Sequence, residues 1–281
     1  MMPLLPLDLE REVFETAAIR DRAGIPILLR VCRRVHSWIE PLLYRVILIT
    51  DFYPDSDSPE FAALCATSAT FKKRAVRHLF LEYPPHDDEL RTAAQNFLCQ
   101  LPAIESLVLD GDLCTDVLEI MDKMRLQKLN IRVPSFSLSS WARSTLSRPL
   151  FHSVIHLELY RDQDHIPTCW DDWTALASLS VLTHLCLDDK LAAQIVKPTL
   201  GNCKQLEVVI WALWDGTRNA VYDAQNLSVT DCRLVVMDMP IFEDDWEEGA
   251  RFGKDFWVRA DAFLAKKRSG EIDKSHFFLE K

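Results

Sequence analysis

Val154-Ile155-His156-Leu157-Glu158-Leu159 and, 28 residues later, Leu182-Thr183-His184-Leu185-Cys186-Leu187 carry apolar residues at the same positions, apolar-x-x-apolar-x-apolar. The alternation at the end of each copy is that of a β-strand with one buried face, because successive strand side chains point to opposite sides. The same spacing occurs at Val76/Leu79/Leu81, Ile104/Leu107/Leu109 and Leu126/Leu129/Ile131, and more weakly at Leu206/Val209/Trp211 and Cys232/Val235/Met237. From first to last the copies start 28, 22, 28, 28, 24 and 26 residues apart (104−76, 126−104, and so on). Each interval must also hold a return path. Asp88–Leu101, Thr115–Met124 and Lys190–Asn202 have the apolar spacing of helices.

A strand plus a return helix every roughly 20–29 residues is the signature of leucine-rich repeats, and residues 76–239 resemble that family. The resemblance implies stacked units in a curved solenoid with a parallel sheet lining the bend, since one unit cannot bury its apolar side alone. The Asn or Cys that the family places after the strand is missing from most copies, although Cys114 falls near that place, so irregular repeats are expected. An ordinary βαβ sheet is the alternative. The residues between the apolar ones would face the bend. Phe80, Glu82, Asn130, Arg132, His156, Glu158, Tyr160, His184 and Asp188 are the candidates there for holding a protein partner through aromatic and charged anchors. His78, His156 and His184 share one column, but a strand histidine pair without further ligands is read as surface, and no metal or cofactor is assigned.

Upstream, Leu5-Pro6-Leu7-Asp8-Leu9-Glu10-Arg11-Glu12-Val13-Phe14 opens a helix with Leu9, Val13, Phe14 and Ala17 as its apolar stripe. A second helix is expected from Ile25, with Pro41 kinking or restarting it, and Arg45–Ile49 turns to strand character with Leu43, Val46 and Leu48 as an early copy. A helical trio of this size ahead of leucine-rich repeats resembles an F-box protein. The residues that carry the likeness are Leu5-Pro6 with Leu9 and Val13, then Val31-Cys32-Arg33-Arg34 with Trp38. The ending Trp38-Ile39-Glu40-Pro41-Leu42-Leu43-Tyr44-Arg45 is similar to that of F-box-like proteins of fungi. The resemblance implies that the segment docks a Skp-type adaptor of a cullin-RING ubiquitin ligase while the repeats hold a protein target. Leu5, Pro6, Leu9, Val13, Leu28, Val31, Cys32 and Trp38 would then form the domain and its adaptor face. In the other reading the trio packs inward and only caps the repeats, which makes the chain a plain interaction scaffold.

The formal charge of −10 argues against a nucleic-acid partner, which needs a basic surface. The start is not read as a signal peptide, no run is long enough to span a membrane, and the eight scattered Cys read as small buried residues in a reducing compartment, cytosol or nucleus. Asp51–Pro59 and Ser135–Ser140 read as polar loops, and Asn226-Leu227-Ser228 matches the glycosylation pattern without a secretory signal. The acidic clusters Trp170–Trp173 and His86–Glu89 precede helices and read as caps. With seven glycines and no nucleophile or phosphate motif, an enzyme is not expected. Asp244–Arg268 has acids in front, bases behind and Gly270 beyond, and reads as one helix capping the open end of the sheet. The expectation is an α/β chain: an F-box-like helical segment over 1–45, an irregular leucine-rich-repeat-like solenoid over 46–239, and a C-terminal cap helix and tail over 240–281.

Overall fold

The computed structural model describes residues 5–50, 63–83, 88–111, 113–134, 138–161, 168–214, 229, 231–239 and 241–279, with the backbone alone for 138–140. The loop at 51–59, His86 and Asp87 of one acidic cluster, the serine stretch 135–137 and the sequon 226–228 lie outside the described residues. The chain begins with α1 (Leu7–Arg20), α2 (Ile25–Leu28) and α3 (Arg33–Leu43). Ala18, Ile25, Val35 and Ile39 form their small core, with Phe14 packed against it. Pro41 stands inside α3 without ending it. Its missing N–H falls in the last turn, where little helix remains to be broken. The break comes earlier, where Cys32 is extended ahead of α3.

The chain then alternates: β1 (Val46–Ile49), α4 (Ala69–Ala75), β2 (His78–Glu82), α5 (Asp88–Cys99), β3 (Ser106–Asp110), α6 (Thr115–Met121), β4 (Lys128–Arg132), α7 (Leu138–Leu146), β5 (His156–Tyr160), α8 (Trp170–Trp173), β6 (His184–Asp188), α9 (Asp189–Asn202), β7 (Val208–Leu213), β8 (Leu234–Asp238), α10 (Phe242–Phe252), α11 (Phe256–Ser269) and β9 (Phe278–Leu279). The strands form one nine-stranded sheet in chain order, every neighbouring pair parallel. Registered pairing stacks Leu79, Leu107, Leu129, Leu157, Leu185 and Val209 in one ladder, and Leu81, Leu109, Ile131, Leu159, Leu187 and Trp211 in the next. With apolar residues of the return helices, such as Phe97, Val117 and Ile195, these ladders make the main core. Each buried leucine contributes roughly 1.5–3 kcal/mol.

The two end copies are displaced by one residue from the sequence reading. In β1 the core residues are Ile47 and Ile49, paired with Leu79 and Leu81, so Val46 and Leu48 point to the other face. In β8 the core residues are Leu234 and Val236, paired with Val209 and Trp211, while Val235 and Met237 face away. Both strands are apolar on both sides, so period-two alternation cannot fix their register from sequence.

The C-terminal segment also differs from its expected form. It makes two helices, because α10 ends at Gly253 in a left-handed conformation at φ 67°. Neither helix covers the end of the sheet; both lie across the face opposite the return helices. Trp246 of α10 packs with Val46, Phe80 and Val108, and Phe256, Trp257, Ala260, Phe263 and Leu264 pack on Cys186, Val208, Ile210, Val235 and Met237. The open end is closed instead by β9, which pairs Phe278 with Val236 and Leu279 with Met237. The eight Cys are free thiols, but only Cys186 and Cys203 are buried, whereas Cys32, Cys65, Cys99, Cys169 and Cys232 are exposed. Among the described residues no helix is long and apolar enough to cross a membrane.

Candidate functional site

Two regions hold the residues singled out in the sequence. The first is the outer side of α1 and α2. The inward side of α1 is carried by Phe14 and Ala18, one turn apart. Leu9 and Val13, also one turn apart, lie on the far side, 45% and 59% exposed. Leu5 and Leu7 continue that surface at the start of the chain, and Ile27 (72%) and Val31 (53%) are exposed in and just after α2. Pro6 and Cys32 are exposed too, whereas Leu28 and Trp38 are half-buried against the trio's core. Charged residues frame the patch: Arg34 donates to Glu10 at 2.7 Å and lies 5.5 Å over the Trp38 ring, and Arg11 pairs with Glu15 at 2.7 Å.

The second region is the sheet face expected to be free for a partner. It is occupied by the chain's own α10 and α11. Phe80 is buried, with its ring 5.9 Å from Phe242 and 5.7 Å from Trp246. His156 and His184 stack at 4.2 Å, as their pairing on β5 and β6 requires, and Trp257 meets both edge-on at 5.2 and 5.9 Å. His184 Nε2 lies 3.2 Å from Asp261 on α11. Lys128 donates to Asp255 at 2.6 Å, and the same carboxyl accepts from the Val258 N–H to cap α11. Burial lowers His156 to about 3, helped by His184 and Lys128, so the His156 ring is neutral near pH 7. Asn130, Glu158, His184 and Asp188 are also buried. Of the expected partner residues, only Glu82 is exposed, while Arg132, His156 and Tyr160 are half-buried. The segment that displaces the expected partner is the chain's own α10 and α11, and the sequence carried its signal. Val208–Leu213 and Leu234–Met237 are unbroken apolar runs, which mark strands covered on both faces.

At the carboxyl ends of the strands, past α10, the covering stops and a cleft of about 670 Å3 opens. Asp110 accepts from Arg132 at 2.5 Å and from the Tyr160 hydroxyl at 2.7 Å, linking β3, β4 and β5. Burial, and then the Asp110 charge, push the Tyr160 hydroxyl up, so it stays a donor. Asp188 accepts from the Arg161 N–H at 2.5 Å and from the Leu191 N–H at 2.8 Å, capping α9. Between these pairs lie Asn130 and Glu158. Burial pushes Glu158 up to about 8; the Asn130 hydrogen bond works against it, and the charges of Asp245, Asp188 and Asp255 add to it. Sequence reading placed these side chains on one face, but the proton on Glu158 needs the burial that α10 and α11 supply.

The acidic cluster at Trp170–Trp173 is a helix cap: Asp172 accepts from the Cys169 N–H at 3.3 Å and the Thr168 hydroxyl at 3.0 Å. Among the described residues no group of three or more His, Cys, Asp or Glu is placed to hold a metal ion. No protein-family model and no curated protein matches this chain.

Proposed function

We propose that this chain is a substrate receptor of a cullin-RING ubiquitin ligase, an F-box-like helical trio joined to an irregular leucine-rich-repeat-like solenoid. The observation that carries the reading is the exposed apolar stripe of α1 and α2. A folded monomer seldom leaves contiguous apolar residues in water unless something covers them. Here Leu5, Leu9, Val13, Ile27 and Val31 stay outside, framed by the Arg34–Glu10 and Arg11–Glu15 pairs. An apolar centre with a polar rim is the make-up of a docking surface, and, Ile27 apart, the residues are among those through which the sequence resembles an F-box. The occupant is a Skp-type adaptor.

The second reading, a scaffold whose trio is only a cap, draws on the other side of the same unit. Tyr44, just past α3, meets Phe71 of α4 edge-on at 5.5 Å, which ties the trio to the first edge of the sheet. That contact uses α3 and leaves α1 open, so capping and docking are compatible. For the target, the covered sheet face shifts the site of capture to the rim at the carboxyl ends of the strands, where Glu82, Arg132 and Tyr160 retain exposure.

The test is co-purification of the chain with a Skp-type adaptor beside a Leu9→Asp/Val13→Asp variant of confirmed fold. Both side chains are exposed, so the variant is expected to fold. Capture by the native chain and its loss in the folded variant support the ligase reading. Absence of capture by the native chain leaves the scaffold.

A further inference from the structure

We infer that the cleft at the carboxyl ends of β3 to β6, roofed by the start of α10, binds a small amphipathic organic cation, a protonated amine or guanidine carrying an apolar body. Its volume, about 670 Å3, is that of a small-molecule pocket. A neighbouring void, beneath α10 and α11, is about 60 Å3, too small for such a ligand. Both share the floor residues Asn130 and Glu158.

That floor holds an unpaired acceptor. Asn130 is 6% exposed, and its buried Oδ1 accepts no hydrogen bond among the described residues, although the side chain bonds Glu158. A buried acceptor left unpaired is destabilising, and a ligand N–H would recover that loss. Glu158, 4% exposed, meets its surroundings by holding a proton in place of a charge, and it becomes the second acceptor when that proton leaves. The groups around it are acidic or neutral: Asp188 and Cys186 on β6, Asp245 on α10, Asp255 ahead of α11, Asn130 on β4. The nearby Lys128 is engaged by Asp255, and His156 is neutral. Of the cations that line the cleft, Arg161 faces Asp188, and Lys190 stands at the first turn of α9. A ligand ammonium set on the floor would take the place of the Glu158 proton, which leaves to water as Glu158 ionises. The wall suits the remainder of such a ligand. Phe242 lies 5.9 Å from Phe80 and 6.0 Å from Trp214, an aromatic surface for an apolar body or a cation–π contact.

The inference does not depend on adaptor binding. It is tested by calorimetric titration of the purified full chain with tryptamine, and with 3-indolepropionate as an anion of similar shape. Tryptamine is expected to bind in the millimolar range or tighter, and the anion at least about tenfold more weakly. Because Glu158 must lose a proton whose pKa is about 8, tryptamine affinity is expected to rise roughly eightfold from about pH 6.5 to about pH 7.5. Glu158→Gln should flatten that rise. Trp214→Leu, on the wall, should weaken tryptamine severalfold and keep the rise, so the inference stays open to refutation even if the floor variant does not fold. No saturable binding of tryptamine, equal binding of the anion, or a pH rise that survives in folded Glu158→Gln overturns it.

Discussion

Glu158 shows how a residue is changed by what covers it. On an open strand it would be an ordinary carboxylate. Under α10 and α11 its pKa stands near 8, against 4.5 for the free side chain, through burial first and neighbouring acid charges after. The folded state therefore holds a proton that the unfolded chain gives up, so the stability linked to Glu158 is fully present below about pH 4.5 and is lost as pH rises through about 8. His156 and His78 act in the opposite sense. Burial lowers them to about 3 and about 4, so their contribution is complete above about 6.5 and falls away in acid. Asp188, raised to about 6 by burial, has finished titrating by then. Between about pH 6.5 and 8 the Glu158 proton is the main one at stake among these groups. The melting temperature of the native chain should fall across that window, with a loss of up to about 2 kcal/mol. Glu158→Gln should remove the fall. A flat native profile would mean that Glu158 is ionised in the fold.

At the scale of elements, α10 and α11 meet at Gly249. A Cβ added there would stand 2.4 Å from Asp255 Cβ, far inside contact distance. Alanine at a helical glycine normally stabilises by roughly 0.5–1 kcal/mol. Here Gly249→Ala should destabilise by about 1–3 kcal/mol, because α11 cannot move off without breaking the Asp255 cap and its Lys128 pair. Denaturant unfolding decides the sign, and a more stable variant would show that the helices are not held so closely. The same elements show what the sequence made legible. Strands with polar residues on the second face, β2 to β6, show their register through alternation of Leu or Ile with sets such as His/Phe/Glu, Ser/Val/Asp and Lys/Asn/Arg. In β1 and β8 both faces are apolar and the alternation disappears, so their pattern leaves the register open by one residue. The trio was visible through its proline and apolar spacing. Which stripe of α1 lies outside was not, since Leu9/Val13 and Phe14/Ala18 have the same spacing and only packing separates them. The path of the C-terminus was hidden because a helix on the face of a sheet and a helix at its end have the same amphipathic pattern.

Across the whole molecule the strands run in chain order from the trio to β9, so the first and last parts of the sequence sit at opposite edges of the sheet. α10 then brings the C-terminal segment back over β1, where Trp246 packs with Val46. Among the described residues the exposed large apolar side chains are concentrated on the trio, with Ile241, Phe252 and Val258 as a smaller set beside α10 and α11. In the proposed function the trio docks the adaptor, and α10 and α11 are a fixed cover. Hydrogen–deuterium exchange of the full chain with and without a Skp-type adaptor measures both. The expected result is slowed exchange over the segment from Leu7 to Val31, with Phe242–Phe252 and Phe256–Ser269 unchanged. Slowing confined to the two C-terminal helices, with none in the trio, would contradict the account.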